Sequence, residues 1–153
     1  MNIAIVIPAF KESENIENLI KSILEVIENP LIIIVDDSPD RQIEAIIKAF
    51  NNIHYIYRGK KMGRGSAVIQ GMKAAIERKE IDTFIEMDAD LSHNPKEINE
   101  NLKIFKKNKL DLLISSRYLK ESKIIDWSIR RKIFSFLSNK LTKFLLKIPI
   151  TDY

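Results

Sequence analysis

The chain has 153 residues, 45% of them hydrophobic, which fits one globular domain over 1–153 with an ample core and requires no linker. It has no cysteine and only two histidines, which excludes disulfides, thiolate metal sites and an imidazole cage, so any metal must be held by oxygen. A net charge of +4 with pI near 9.2 suits phosphate-bearing partners or an anionic membrane surface, and equally an ordinary lysine-rich surface; no nucleic-acid partner is expected.

The opening Met-Asn-Ile-Ala-Ile-Val-Ile-Pro is apolar, lacks a basic lead-in and is too short for a signal-peptide core, so it reads as a first strand over 2–7. Ile16, Leu19, Ile20, Ile23, Leu24 and Ile27 then recur at three- and four-residue spacing, as one face of a helix requires. A second strand is expected at 31–36, and a second helix carries Ile43, Ile46, Ile47 and Phe50. Further strands are expected at 53–57, 82–87 and 110–115, with Asn94, Pro95 and Glu97 opening a helix as its N-cap, N1 and N3. Each strand is a continuous Ile/Val/Leu/Phe-rich run of the kind buried on both faces of a parallel sheet. The βαβαβ succession predicts an open, mostly parallel α/β sheet with right-handed crossovers, binding ligands at the carboxyl ends of its strands. The longest apolar runs fall short of the ~20 residues that a membrane span needs.

Unusual polar residues collect at those carboxyl ends. Pro8-Ala9-Phe10-Lys11-Glu12 follows strand one, Asp36-Asp37-Ser38-Pro39-Asp40 strand two, Asp88-Ala89-Asp90 strand four and Ser115-Ser116-Arg117-Tyr118 strand five. Asp88 and Asp90 carry the most information. Side chains alternate along a strand but swing round in the turn beyond it, so both carboxylates can converge on one hard cation, Mg²⁺ or Mn²⁺, that holds a diphosphate. The alternative is that they only punctuate the turn before Asn94. No Gly-x-Gly-x-x-Gly follows strand one and no Gly-Lys-Ser/Thr loop occurs, which argues against a dinucleotide-binding Rossmann domain and a P-loop enzyme; a receiver-like domain with paired acids stays open.

Taken together, these motifs resemble those of the family 2 glycosyltransferases of the GT-A fold, in the polyprenyl-phosphate branch. Ile7-Pro8-Ala9-Phe10-Lys11-Glu12 is similar to the family's Ile-Pro-Thr-Tyr-Asn-Glu opening, and Val35-Asp36-Asp37-Ser38-Pro39-Asp40 to its Val-Asp-Asp-(Asp/Asn)-Ser-Pro-Asp. Arg58 to Ala67 resembles the basic, glycine-containing segment before the third helix. Met87-Asp88-Ala89-Asp90-Leu91-Ser92-His93 is similar to the metal motif, and Ser116-Arg117-Tyr118 to the Gly-Ser-Arg-Tyr.

The resemblance implies that Pro8, Phe10, Glu12, Val35 and Asp37 line a nucleotide pocket, with Glu12 and Asp37 accepting from base or ribose donors. It implies that Asp88 and Asp90 bind the metal across the donor's diphosphate, that Ala89 touches the donor through its backbone, and that Ser92 stands at a third ligand position often held by Gln. Arg117, Arg131 and Ser135 match positions that grip the acceptor phosphate, as a planar guanidinium fork can. The implied reaction is inverting: a lipid phosphate, already an anionic nucleophile, attacks the anomeric carbon of a nucleotide-activated sugar, and Asp90 at most assists. GDP-mannose and a dolichyl or polyprenyl phosphate are the implied substrates. A UDP-sugar donor and a non-catalytic nucleotide-sugar-binding module are the alternatives.

Residues 127–148 interleave lysines 132, 140, 143 and 147 with Trp127, Phe134, Phe136, Leu137, Phe144 and Leu145. Such a basic amphipathic helix lies flat on an anionic membrane or packs on the sheet; the family resemblance favours the membrane, and a peripheral location on its cytoplasmic face is expected. Phe10 departs from the family's Tyr, keeping the ring and losing the hydroxyl. The second loop is one residue shorter than in the family, leaving the roles of Asp36 and Asp37 open. The chain stops at Thr151-Asp152-Tyr153, where the family continues with further substrate-side residues, so it reads as C-terminally truncated, with any membrane helix beyond Tyr153.

Overall fold

The computed structural model describes residues 1–116, 118, 128–147 and 152. Met1–Leu102 and Lys103–Tyr153 form two compact units. In the first, strands β1 (Ile3–Ala9), β2 (Leu31–Asp36), β3 (Ile53–Tyr57) and β4 (Thr83–Glu86) build one sheet in the order β3-β2-β1-β4. Every pairing is parallel, with Ile5 opposite Ile32 and Ile85, and Ile34 opposite Tyr55. Helices α1 (Ile16–Val26), α2 (Gln42–Ile47) and α3 (Arg64–Ile76) connect successive strands, and a 3₁₀ turn at Pro95–Glu97 leads into α4 (Ile98–Lys107).

The alternation of side chains along each strand decides which layer each strand residue enters. Ile3, Ile5, Ile7, Ile32 and Ile34 face one side, where Ile16, Leu19, Ile20 and Ile23 of α1 and Ile43 and Ile47 of α2 cover them. Ala4, Val6, Ile33 and Val35 face the other, beneath Ala67 and Ala75 of α3. The central strand β1 is therefore buried along its whole length, as a continuous apolar run demands. Helix α3 lies close on the sheet because Gly71 has no side chain: a Cβ there would overlap Val6 Cγ1 and come within 3.2 Å of Val35 Cγ2.

The order β3-β2-β1-β4 puts β2 and β3 on one side of β1 and β4 on the other, so the chain reverses direction across the sheet at the β1/β4 boundary. Loops leaving neighbouring strands there diverge and open a crevice. Asn94 caps the turn after β4 as its sequence predicts, its Oδ1 accepting from Lys96 N at 3.1 Å, with Pro95 at the first position.

The expected fifth strand at 110–115 is irregular in the structure. A strand exists only through a partner's ladder, and no pairing among the described residues includes this run, whose Leu112 is 70% exposed and whose Asp111 interrupts the apolar sequence. In the second unit, α5 (Ile129–Leu146) starts at Ser128, whose Oγ accepts from Arg131 N at 3.3 Å. No helix among the described residues is long and apolar enough to cross a membrane.

Candidate active site

A cleft of about 310 Å³ opens at the β1/β4 boundary. Pro8, Ala9, Phe10 and Glu12 line it from the end of β1, Asp37 from β2, Asp88, Ala89 and Asp90 from β4, and Lys61, Gly63, Arg64 and Ala67 from the start of α3. Seven of the residues expected around a nucleotide and metal (Pro8, Phe10, Glu12, Asp37, Asp88, Ala89 and Asp90) therefore share one cavity. Val35 does not: it is fully buried in the layer against α3, because it points to the face of β2 away from α1 and beneath that helix. Ser92 is also absent from the cleft wall; its amide donates to Asp90 Oδ1 at 3.0 Å, closing a tight turn, so it acts on Asp90.

The two aspartates after β2 separate into distinct tasks. Asp36 is buried and structural: Oδ1 accepts from Ser38 N at 2.8 Å and Oδ2 from the Tyr55 hydroxyl at 2.7 Å. Burial, reinforced by this bond to a carboxylate, pushes the Tyr55 hydroxyl well above the usual tyrosine range. Asp37 faces the cleft and organises the loop before α3. Its Oδ1 accepts from Arg58 Nε, and its Oδ2 from the amides of Met62 at 2.7 Å and Gly63 at 3.2 Å. Arg58 extends the bracket by donating to Ser66 Oγ at 2.8 Å and Gly63 O at 3.3 Å, and both charged side chains of the pair are only 5% exposed. Gly63 holds φ 96°, a backbone state that would strain a side chain, and this lets the chain turn into α3 against Asp37.

Two cations, Lys61 and Arg64, line the same cleft. Lys61 Nζ lies 4.8 Å and Lys11 Nζ 5.6 Å from the centre of the Phe10 ring. Lys11 and Leu91 both hold φ 61° on the loops that follow β1 and β4, and the Lys11 amide is fixed by Ser38 Oγ at 2.8 Å. Left-handed non-glycine residues at both rims are the kind of local strain that functional loops carry.

Burial pushes the Asp90 carboxyl up, but hydrogen bonds from the Ser92 side chain and amide outweigh it and hold Asp90 below the usual carboxylate range. Asp88 Oδ1 accepts from Arg64 Nε at 2.7 Å, and its own amide donates to His93 Nδ1 at 3.2 Å. Among the described residues no three carboxylate or imidazole side chains form a ready-made cage. Two carboxylates at one rim nonetheless fit a hard cation such as Mg²⁺, which takes one or two carboxylates and completes its shell with phosphate oxygens and water.

Arg117 lies outside the described residues. Arg131 and Ser135 lie one helical turn apart on α5, and the Tyr118 hydroxyl, next in chain to Arg117, donates to Ser135 Oγ at 2.6 Å. Arg58, Lys61 and Arg64 were visible in the sequence only as a basic segment. Their individual partners depend on which acid each reaches, which spacing does not encode. Glu86, bound by the Arg64 Nη2, had one sequence signal, a charge inside an otherwise apolar strand.

Comparison with known proteins shows the family of the chain. The profile of glycosyl transferase family 2 matches residues 4–153. The chain is 36% identical to a dolichol-phosphate mannosyltransferase of Pyrococcus furiosus over 88% of its own length and 38% of the relative's. It is 30% identical to an undecaprenyl-phosphate mannosyltransferase of Micrococcus luteus (99% and 63%) and 31% identical to a polyprenol monophosphomannose synthase of Mycolicibacterium smegmatis (97% and 57%). The chain thus spans between about two fifths and two thirds of the length of these relatives. Among solved structures, S. aureus TarS 1–349 in complex with UDP superposes with TM-score 0.61 at 16% identity, over 89% of this chain and 45% of that one, and TarS 1–349 alone with TM-score 0.59 over 84% and 39%. At that identity the likeness is one of fold, the GT-A arrangement.

Proposed function

The chain belongs to glycosyl transferase family 2, and from that premise we propose that it carries the sugar-transfer site of a polyprenyl-phosphate mannosyltransferase, taking mannose from GDP-mannose. The observation that carries this reading is the convergence of Asp88 and Asp90 with Glu12, Asp37 and Phe10 in one cleft at the β1/β4 switch point. The names of the three relatives, each a polyprenyl-phosphate mannose enzyme, support the choice of sugar and acceptor.

In this reading Phe10 offers an apolar wall to the base, Glu12 accepts from base or ribose, and Asp37 holds the Arg58–Gly63 loop that forms another wall of the cleft. Asp88 and Asp90 would hold Mg²⁺ or Mn²⁺ against the donor's diphosphate, with Ser92 fixing Asp90 and the Ala89 backbone against the donor. That cation supplies charge neutralisation for the departing nucleoside diphosphate. Arg117, Arg131 and Ser135 grip the acceptor phosphate. One of its oxygens forms the new bond to the anomeric carbon as the bond to the diphosphate breaks, inverting the configuration and releasing GDP. Because the acceptor is already anionic, the residues position the reactants and no strong base is required.

The lipid acceptor places the site at a membrane surface, and α5 supports this. Its half-buried stripe is polar (Ser135, Ser138, Asn139, Thr142), whereas Ile129, Phe134 and Phe144 are more than 70% exposed. A helix that turns its apolar side outward with lysines 132, 140, 143 and 147 between fits the boundary of an anionic bilayer, with the protein peripheral on the cytoplasmic face. The test is transfer of labelled mannose to a short polyprenyl phosphate in the presence of Mn²⁺. A β-linked mannosyl phosphate should form from GDP-mannose, and Arg131→Ala should lower its rate about tenfold or more while leaving donor affinity unchanged. Faster transfer from UDP-glucose would overturn the donor assignment, and a loss of donor affinity in Arg131→Ala would overturn the division of the site.

A further inference from the structure

Arg64 opens α3 and reaches across the mouth of the cleft to β4. Its Nε donates to Asp88 Oδ1 at 2.7 Å and its Nη2 to Glu86 Oε1. The guanidinium thus occupies the carboxylate that the proposed function assigns to the cation. The surroundings explain why it sits there. Glu86 and Asp88 flank one another at the end of β4, with side chains 28% and 31% exposed, and burial pushes the Glu86 carboxyl up, with Asp88 adding to the rise and Arg64 opposing it. Asp90 adds a third negative charge within the field of Arg64. Without a cation these acids repel one another, and Arg64 offsets part of that charge by bonding to Glu86 and Asp88. Its own side chain is 54% exposed, so it can leave Asp88 without being buried elsewhere.

We propose that Arg64 is an exchangeable counter-ion that makes loading of the divalent cation depend on the nucleoside diphosphate. A bare cation approaching Asp88 meets a carboxylate already paired with a guanidinium, whose positive charge it must displace or face, so it gains less than at an unpaired site. A cation arriving with a diphosphate brings new anionic oxygens, to which the released guanidinium can turn as a two-pronged donor. Arg64 therefore penalises the cation alone and favours the cation–diphosphate pair, a coupling between two ligands through one side chain.

This inference rests on the metal reading of Asp88 and Asp90, and its test separates the two. Mn²⁺ binding is measured by the loss of the free-ion electron paramagnetic resonance signal, with Mn²⁺ alone and with GDP, for the parent chain, Arg64→Met and Arg64→Lys. Arg64→Met should bind Mn²⁺ alone about five- to tenfold more tightly than the parent, and the gain in Mn²⁺ affinity on adding GDP should shrink by a similar factor. Arg64→Lys, which keeps the charge and loses the fork, should stay within about twofold of the parent for Mn²⁺ alone and bind the Mn²⁺–GDP pair more weakly. If Arg64→Met binds Mn²⁺ alone no better than the parent, while both bind it with GDP, the counter-ion role is overturned and the metal site stands. If no chain binds Mn²⁺ with or without GDP, the metal reading and this inference fall together.

Discussion

Asp37 and Arg58 form a buried ion pair whose remaining hydrogen-bonding capacity is spent on the loop that forms one wall of the cleft. Removing one partner leaves the other charged, buried and alone, which costs about 3–5 kcal/mol in comparable pairs. Arg58→Met should therefore lower the unfolding free energy by about that amount in urea titrations. It should also weaken nucleotide binding by loosening Met62 and Gly63. A loss below about 1 kcal/mol would show that the pair is dispensable and that the loop is held by other means. At this scale the sequence disclosed which polar residues collect at the strand ends but not how they pair. Two adjacent aspartates read alike, and only the fold makes Asp36 an anchor for Tyr55 and Asp37 an anchor for Arg58. Ser92 reads as a ligand from its place in a motif, and in the fold its amide bonds to its neighbour Asp90.

At the scale of elements, β1 to β4 were legible because each is a short, mostly apolar run with turn residues nearby, and α1 and α2 because their apolar residues recur at three- and four-residue spacing. The run at 110–115 is also rich in Leu and Ile yet joins no ladder among the described residues, since pairing is decided by a neighbouring strand that a local pattern cannot see. Val35 was assigned to the pocket by motif, yet alternation along β2 sends it beneath α3. Helix α5 shows the limit of amphipathicity as a guide. The pattern gives a stripe, and the structure shows that the stripe turned inward is the polar one. A membrane-facing α5 makes a specific demand: liposome flotation should show binding to vesicles rich in anionic lipid, weakened by raising salt and by Lys140→Glu with Lys143→Glu. Binding indifferent to salt and charge reversal would mean that apolar surface alone drives it, and no binding would mean that another surface covers the helix.

Over the whole molecule, the residues proposed for the donor all fall in Met1–Leu102, and those proposed for the acceptor, Arg117, Arg131 and Ser135, fall in Lys103–Tyr153. The first unit explains itself: a parallel sheet whose strand order reverses once must open a crevice where it reverses, and the acids and cations gather there. The central claim is that this crevice binds a nucleotide sugar through a cation held by Asp88 and Asp90. The most direct measurement is calorimetric titration of GDP-mannose into the chain with and without Mn²⁺, repeated for Asp88→Ala and Asp90→Ala. Binding should be at least about tenfold tighter with Mn²⁺ in the parent, because the diphosphate otherwise faces two carboxylates whose charge Arg64 only partly offsets, and both variants should lose that difference. Equal affinity with and without Mn²⁺, or an undiminished Mn²⁺ effect in both variants, would contradict the account.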